Sequence, residues 1–350
     1  MTSLPPTVPA RLQRVAHAVR AYNKCLRIEK SLQQAIDNGE KVGNGMIYVR
    51  ILGYLIHHVV TDEGMKAVVY EITSCVTDRD LLEVGKMYFN HYIRGFRASK
   101  GRIPTPSNHA SRPSFDKITD MIKKTLEEAP PSHATAKKHA LIRDGYRCVV
   151  TGKYDRSSVD QIKELEDMLR ANPSLKTEET QCAHIFAEST NSSITPGSAL
   201  DYAATMWGVV VAFGYKNLPH ELNGPKIHRL ENVMTAVPGF HNLFDELGIW
   251  FTPTDEENKY RLEGANDVHL RDYPEFVTFQ TPDPVKFPVP SPIYLAIHAT
   301  CAKVAHLSGA AACIDKFYRD MEDSTTLDPD GGSADILEHA LFELHGQSFR

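Results

Sequence analysis

A histidine titrates near neutrality and can take a proton from water, and a histidine four residues before an aspartate puts two cation ligands on one helix face. The middle third of this 350-residue sequence holds both arrangements. His184 lies in QCAHIF, a short apolar segment with strand character. Asn232 sits in ENVMTAVP, a second short strand candidate. His241 and Asp245 follow at i and i+4 in GFHNLFDELG, about two helical turns long, with Phe240 and Phe244 available to pack that helix down. In this order the side chains match what one-metal hydrolysis of a phosphodiester requires. A base must deprotonate water, a divalent cation must stabilise charge on the phosphate and the leaving oxygen, and the ligands must come from a rigid element.

The flanking text makes the pattern more specific, with RDGYRCVVTG upstream and an aromatic hairpin candidate, IWFTPTDEENKYRLEG, downstream. Residues 132–265 resemble the HNH endonuclease superfamily, in the branch that lacks a zinc ribbon and carries C-x-x-T-G, A-H-I, N and H-x-L-F-D. The matching residues are Cys148, Thr151 and Gly152; Ala183, His184 and Ile185; Asn232; and His241, Leu243, Phe244 and Asp245. The arrangement is similar to fungal HNH-domain proteins. The resemblance implies an α+β fold with a ββα-metal (His-Me finger) core flanked by mostly helical N- and C-terminal regions. It implies His184 as general base and His241 as metal ligand, with Asp245 as a second ligand or as the group that orients one. Asn232 would tie down the loop between the motif halves, in the way supporting hydrogen bonds hold a metal site. The implied cofactor is Mg²⁺ or Mn²⁺ ahead of Zn²⁺, and the implied partner is nucleic acid, DNA before RNA.

Two departures bear on activity. Many active members carry an Asp or His just before the catalytic histidine as a metal ligand, and here that position is Ala183. His241 and Asp245 alone give two protein ligands, which Mg²⁺ accepts because it keeps several waters. Cys182 and Glu188 are further candidate donors, Cys182 being expected on the same strand face as His184. The interval from His184 to Asn232 is also longer than in compact members and holds a helical segment. The alternative to a metal-dependent endonuclease is therefore a catalytically inactive HNH scaffold acting as an interaction module. A third reading is an RNA-directed or effector nuclease controlled by its flanking helices. Taken singly, His184 also fits a satisfied core group, and His241 with Asp245 fits a helix-surface hydrogen bond. His57, His58, His298 and His306 have no partners in pattern and read as structural.

The elements that must position these residues follow from periodicity. Residues 1–131 read as a helical region, with apolar side chains at three- and four-residue intervals in VAHAVRAYNKCLRIEKSLQQAIDNG and LLEVGKMYFNHYIRGF. Within it, residues 97–114 are rich in Pro, Ser and Gly and locally basic through Arg94, Arg97, Lys100 and Arg102. That stretch reads as a solvated hinge, or else as an arm that contacts phosphate. In the nuclease-like segment, 132–265, a helix stops at Gly145 and YRCVVT is a short β-rich run turned at Gly152. A charged helical insertion at 157–172 ends at Pro173, and 197–214 is a buried helix. Residues 266–350 form a C-terminal region packing on the core. It has helices at 294–310 and 313–322 and an acidic stretch, DPDGGSAD.

Apolar residues at 42% and charged residues at 24% are ordinary globular composition, so a sizeable core is expected. The net charge of −5 argues against a nonspecific, high-affinity nucleic-acid binder, because phosphate neutralisation needs a basic excess or stripe. The N-terminal sequence has no apolar h-region and no run approaches the roughly 18 apolar residues of a membrane span. Six cysteines without close pairs suggest a reducing compartment and small buried groups at Cys25, Cys75, Cys301 and Cys313. The expectation is a soluble intracellular protein of undetermined oligomeric state.

Overall fold

Apolar stripes account for the first helices of the computed structural model, which describes residues 2–97, 113–123, 134–188 and 198–323. Helix α1 (Ala16–Asp37) buries Ala18, Ala21, Tyr22, Cys25 and Ile28 along one face and stops where Gly39 turns with φ +81°. Helix α2 (Gly45–His58) is buried along most of its length and packs on α1. Helix α3 (Asp62–Ser74) is capped by the Thr61 hydroxyl, which accepts from the Gly64 N–H. Helix α4 (Asp78–Met87) starts from a reciprocal capping box between Thr77 and Asp80. It runs through a buried π-helical turn, Tyr88–Ile93, into α5 (Arg94–Phe96). Helix α6 (Pro113–Lys123) follows and packs on a later helix in the chain.

The middle of the chain is built from shorter pieces. Helix α7 (Ala134–Arg143) ends before Gly145, whose φ of +65° lets the chain reverse. The charged insertion forms α8 (Arg156–Gln161) and α9 (Lys163–Ala171), between strands β1 (Tyr154–Asp155) and β2 (Thr177–Glu178), which pair in parallel. Strand β3 (Gln181–His184) then leads to α10 (Ser198–Ala212), which contains most of the apolar run MWGVVVAFGY and packs on α6. Helix α11 (Leu218–Glu221) and two 3-10 turns, Gly224–His228 and Leu230–Asn232, bring the chain back to β4 (Val233–Ala236). Strands β3 and β4 are antiparallel, with Gln181 opposite Ala236 and His184 opposite Val233. Helix α12 (Pro238–Asp245) follows at once and lies against β3.

Strands β5 (Ile249–Pro253) and β6 (Lys259–Gly264) form the expected hairpin. After α13 (Asp267–Leu270), strand β7 (Phe276–Thr278) adds a third strand that sequence periodicity does not suggest. Helices α14 (Pro292–Ser308) and α15 (Ala310–Asp323) are separated by Gly309 at φ +88°. Helix α14 packs on both α2 and β5, so segments 1–131, 132–265 and 266–350 share one apolar core that includes Leu52, Phe186, Phe240, Phe251 and Val304. The fold is α+β. Among the described residues no helix is long and apolar enough to cross a membrane.

Most of the basic stretch at 97–114, with Lys100 and Arg102, and the acidic DPDGGSAD lie outside the described residues. Arg97 is buried, donates to the Ala311 carbonyl at 2.9 Å and pairs with Asp315 on α15. Arg94 stands over the Phe317 ring at 5.2 Å. Both arginines are thus turned toward α15, which opposes the idea that they reach out to phosphate.

Candidate active site

The site is assembled by buried polar side chains, because four-residue strands leave most of the surrounding backbone without ladder partners. Arg143 and Asp144, at the end of α7, are the first clamp. Their side chains are 0% and 2% exposed, and the guanidinium donates to the Asp144 carboxylate at 2.7 Å. The same guanidinium donates to the carbonyls of Leu230, Val233 and Pro288 at 2.7, 2.8 and 3.0 Å. Asp144 in turn accepts from the Thr235 N–H at 2.9 Å. The Cys148-x-x-Thr151-Gly152 motif is a tight turn. Gly152, at φ +68°, donates to the Cys148 carbonyl at 3.0 Å, and Val149 donates to the Thr235 carbonyl at 3.0 Å. These contacts lock the start of β4.

Asn232 is the second clamp and is fully buried. Its amide oxygen accepts from the Phe186 N–H at 2.9 Å, while its NH₂ donates to the carbonyls of Phe186 and Ile227 at 3.0 and 2.8 Å. The long excursion between β3 and β4 is thereby pinned at both ends, next to His184 and next to His228.

His184 ends β3 and is partly buried, with its Nε2 3.0 Å from Nδ1 of His228. Glu188 joins this pair: the donor atoms of His184, Glu188 and His228 all lie within 4.8 Å of one another. Among the described residues this is the group whose geometry could hold a metal by three such donors, and it does not include His241 or Asp245. Those two sit together on α12, where His241 Nε2 stands 3.3 Å from Asp245 Oδ2. The other ring nitrogen, Nδ1, is 2.7 Å from Gln181 Oε1, an acceptor, so Nδ1 carries the proton and donates. Nε2 faces a carboxylate oxygen of Asp245. An imidazole nitrogen and a carboxylate oxygen at that distance need a proton or a cation between them. Burial pushes the Asp245 carboxyl up to about 7, and the adjacent Glu246 adds to the rise. With 30% of the side chain still open, water screens part of this effect.

Alternation along β3 puts Gln181 and Ala183 on the face toward α12 and Cys182 with His184 on the other. Ala183 is fully buried in the main core, and Cys182 packs with Ala136, Ala140 and Val233. Burial pushes the Cys182 thiol up to about 12, as its packing among apolar side chains requires. Helix α12 is itself held from behind by α14. The His298 ring stacks on Phe244 with centroids 3.8 Å apart and donates through Nε2 to the Phe244 carbonyl at 3.1 Å. His306 Nε2 lies 2.9 Å from the Leu247 carbonyl. Both histidines are structural, as expected.

No family model, curated protein or solved structure matches this chain.

Sequence reasoning named Glu188 as a spare donor and missed His228 and Gln181. His228 lies four residues before Asn232 in KIHRLEN, after the turn signal Asn223-Gly224-Pro225. A turn there is legible, but nothing in the spacing says that the turn folds back onto the end of β3. Gln181 is readable only once α12 is known to cross the face of β3 it occupies.

Proposed function

We propose that this chain is a metal-dependent nuclease of the HNH type, with β3, β4 and α12 as its ββα-metal core. His184 serves as general base and His241 with Asp245 holds a divalent cation. The observation that carries the reading is the union of two distant stretches, 181–188 and 227–245, around the buried Asn232 amide. His184 stands at the end of one strand, and the His241–Asp245 pair stands on the helix that follows the other, against the opposite face of β3.

The His241–Asp245 pair fits a cation because an imidazole nitrogen and a carboxylate oxygen converge and the second imidazole nitrogen is held by Gln181, as ligating histidines require. Two protein ligands suit Mg²⁺ or Mn²⁺, whose remaining positions water fills. Bound there, the cation supplies stabilisation for negative charge on a phosphate and its leaving oxygen. His184 takes the proton from water, and its contact with His228 shares that proton within an imidazole pair. Asn232 keeps His184 in place and does not itself react.

The test is Mn²⁺- or Mg²⁺-dependent cleavage of plasmid and of single- and double-stranded oligonucleotides by the full chain. Cleavage should fall at least about 100-fold in His184→Ala, and full retention there would exclude the assigned base. A specific observation favours the second reading, an inactive scaffold that serves as an interaction module: Ala183, at 0% exposure, occupies the strand face where a third ligand would stand. That reading expects no cleavage on any substrate and no Mn²⁺ binding by calorimetry.

A further inference from the structure

His184, Glu188 and His228 bring two imidazole nitrogens and a carboxylate oxygen within 4.8 Å of one another, each side chain partly buried. The backbone beside all three is fixed by one side chain. His184 ends β3, His228 ends the 3-10 turn Gly224–His228, and Glu188 follows Phe186 by two residues. The Asn232 amide holds Phe186 by both its N–H and its carbonyl, and holds Ile227 by its carbonyl. Such a fully satisfied buried amide preorganises the donors around it.

The donor chemistry is selective. Two imidazoles with one carboxylate suit zinc-class ions, whereas Mg²⁺ and Ca²⁺ prefer oxygen shells. Two nitrogens bound to a tetrahedral zinc ion stand about 3.3 Å apart. His184 Nε2 and His228 Nδ1 are 3.0 Å apart, so a small opening of the pair admits the ion. Two neutral rings and one carboxylate fill three positions and leave the fourth to water, the pattern of an exchangeable zinc site.

We propose that His184, Glu188 and His228 form a zinc site, chemically separate from the His241–Asp245 pair. Zinc held there occupies the nitrogen lone pair that a general base must offer. Zinc therefore switches the hydrolase off, a consequence that rests on the proposed function, whereas zinc binding itself does not.

The experiment uses the full chain stripped of metal. Zn²⁺ affinity is read by competition with a chromogenic chelator, and the ligand field by the visible absorption of added Co²⁺. Wild type should bind one zinc ion. His228→Ala should weaken it on the order of 100-fold and Glu188→Gln on the order of 10-fold, both with wild-type melting curves in the absence of metal. Asp245→Asn should leave the zinc affinity unchanged. Co²⁺ should give tetrahedral bands that disappear in His228→Ala. If His228→Ala is poorly folded, Glu188→Gln alone decides, by the same affinity measurement. Wild-type affinity in both variants, or no zinc binding by wild type, would overturn the site. Zinc binding without any nucleic-acid cleavage supports the site and removes the hydrolase. Mn²⁺-dependent cleavage without zinc binding does the reverse.

Discussion

Between residues 16 and 74, helices α1, α2 and α3 are fixed by apolar stripes, with the Glu29–Arg50 pair as a buried ionic tie between α1 and α2. Between residues 134 and 245 the strands are four residues or shorter, and their placement rests on Arg143–Asp144, Asn232 and the Asp155 carboxylate that receives Ser158 and Thr180. Long helices satisfy their own backbone and need only a face to bury. Short strands joined by an excursion of nearly fifty residues leave backbone groups that must find side-chain partners. The first kind of region tolerates volume-conserving exchange, while the second depends on a few hydrogen-bonding atoms. The contrast places the candidate site where individual polar residues decide the geometry.

The largest effect should come from Arg143→Ala. It strands the buried Asp144 carboxylate and three carbonyls, and should cost about 3–5 kcal/mol in denaturant unfolding. Arg143→Lys should recover only part of this, since an ammonium cannot reproduce the fork. If Arg143→Ala unfolds like wild type, the contrast between the two regions collapses. Next is Asn232→Ala, which leaves the Phe186 N–H and two carbonyls unpaired in a dry interior and should cost about 2–4 kcal/mol. Hydrogen exchange at the Phe186 amide should speed up with it. Unchanged protection at that amide would mean that the excursion is held by something else.

Much of this was legible in the sequence, and the residues explain which parts were not. Helical periodicity gave α1, α4, α10 and α14, and the order of His184, Asn232, His241 and Asp245 pointed to two strands and a helix that the fold brings together. The pairing of His241 with Asp245 follows from i, i+4 spacing alone. The contact of His184 with His228 does not, because it depends on how forty-odd residues fold back, and no local pattern encodes that. Strand β7 was missed for a related reason: Phe276–Thr278 is three residues long and earns its strand geometry only from pairing with β6.

The α12 helix joins the two kinds of region, and acid should reveal the joint from the α14 side. Burial holds the His298 ring down to about 4, although its bond to the Phe244 carbonyl favours the proton. The unfolded ring titrates at about 6.5. Protons therefore favour the unfolded chain, and the penalty appears as pH falls from about 6.5 toward 4, reaching about 2–3 kcal/mol. His298→Gln keeps a donor for the Phe244 carbonyl and should lose less stability than wild type between pH 7 and 4.5. Equal losses in the two proteins would show that His298 does not report on the packing of α12.

Asp245, next to Phe244 on the same helix, should respond in the other direction. Its carboxyl is raised to about 7, so the folded chain holds a proton there that the unfolded chain has released. That contribution is full below about pH 4 and fades as pH rises toward 7; with water screening part of the effect, it amounts to about 1–2 kcal/mol. Metal-free wild type should therefore lose stability relative to Asp245→Asn between pH 5 and 8. The same proton is what a cation at His241 and Asp245 must displace, so Mn²⁺ should stabilise wild type more at pH 8 than at pH 6 and leave Asp245→Asn unmoved. Parallel stability curves for the two proteins, with and without Mn²⁺, would mean that the facing imidazole nitrogen and carboxylate are satisfied within the fold. The pair would then belong with the structural clamps and not with a cation.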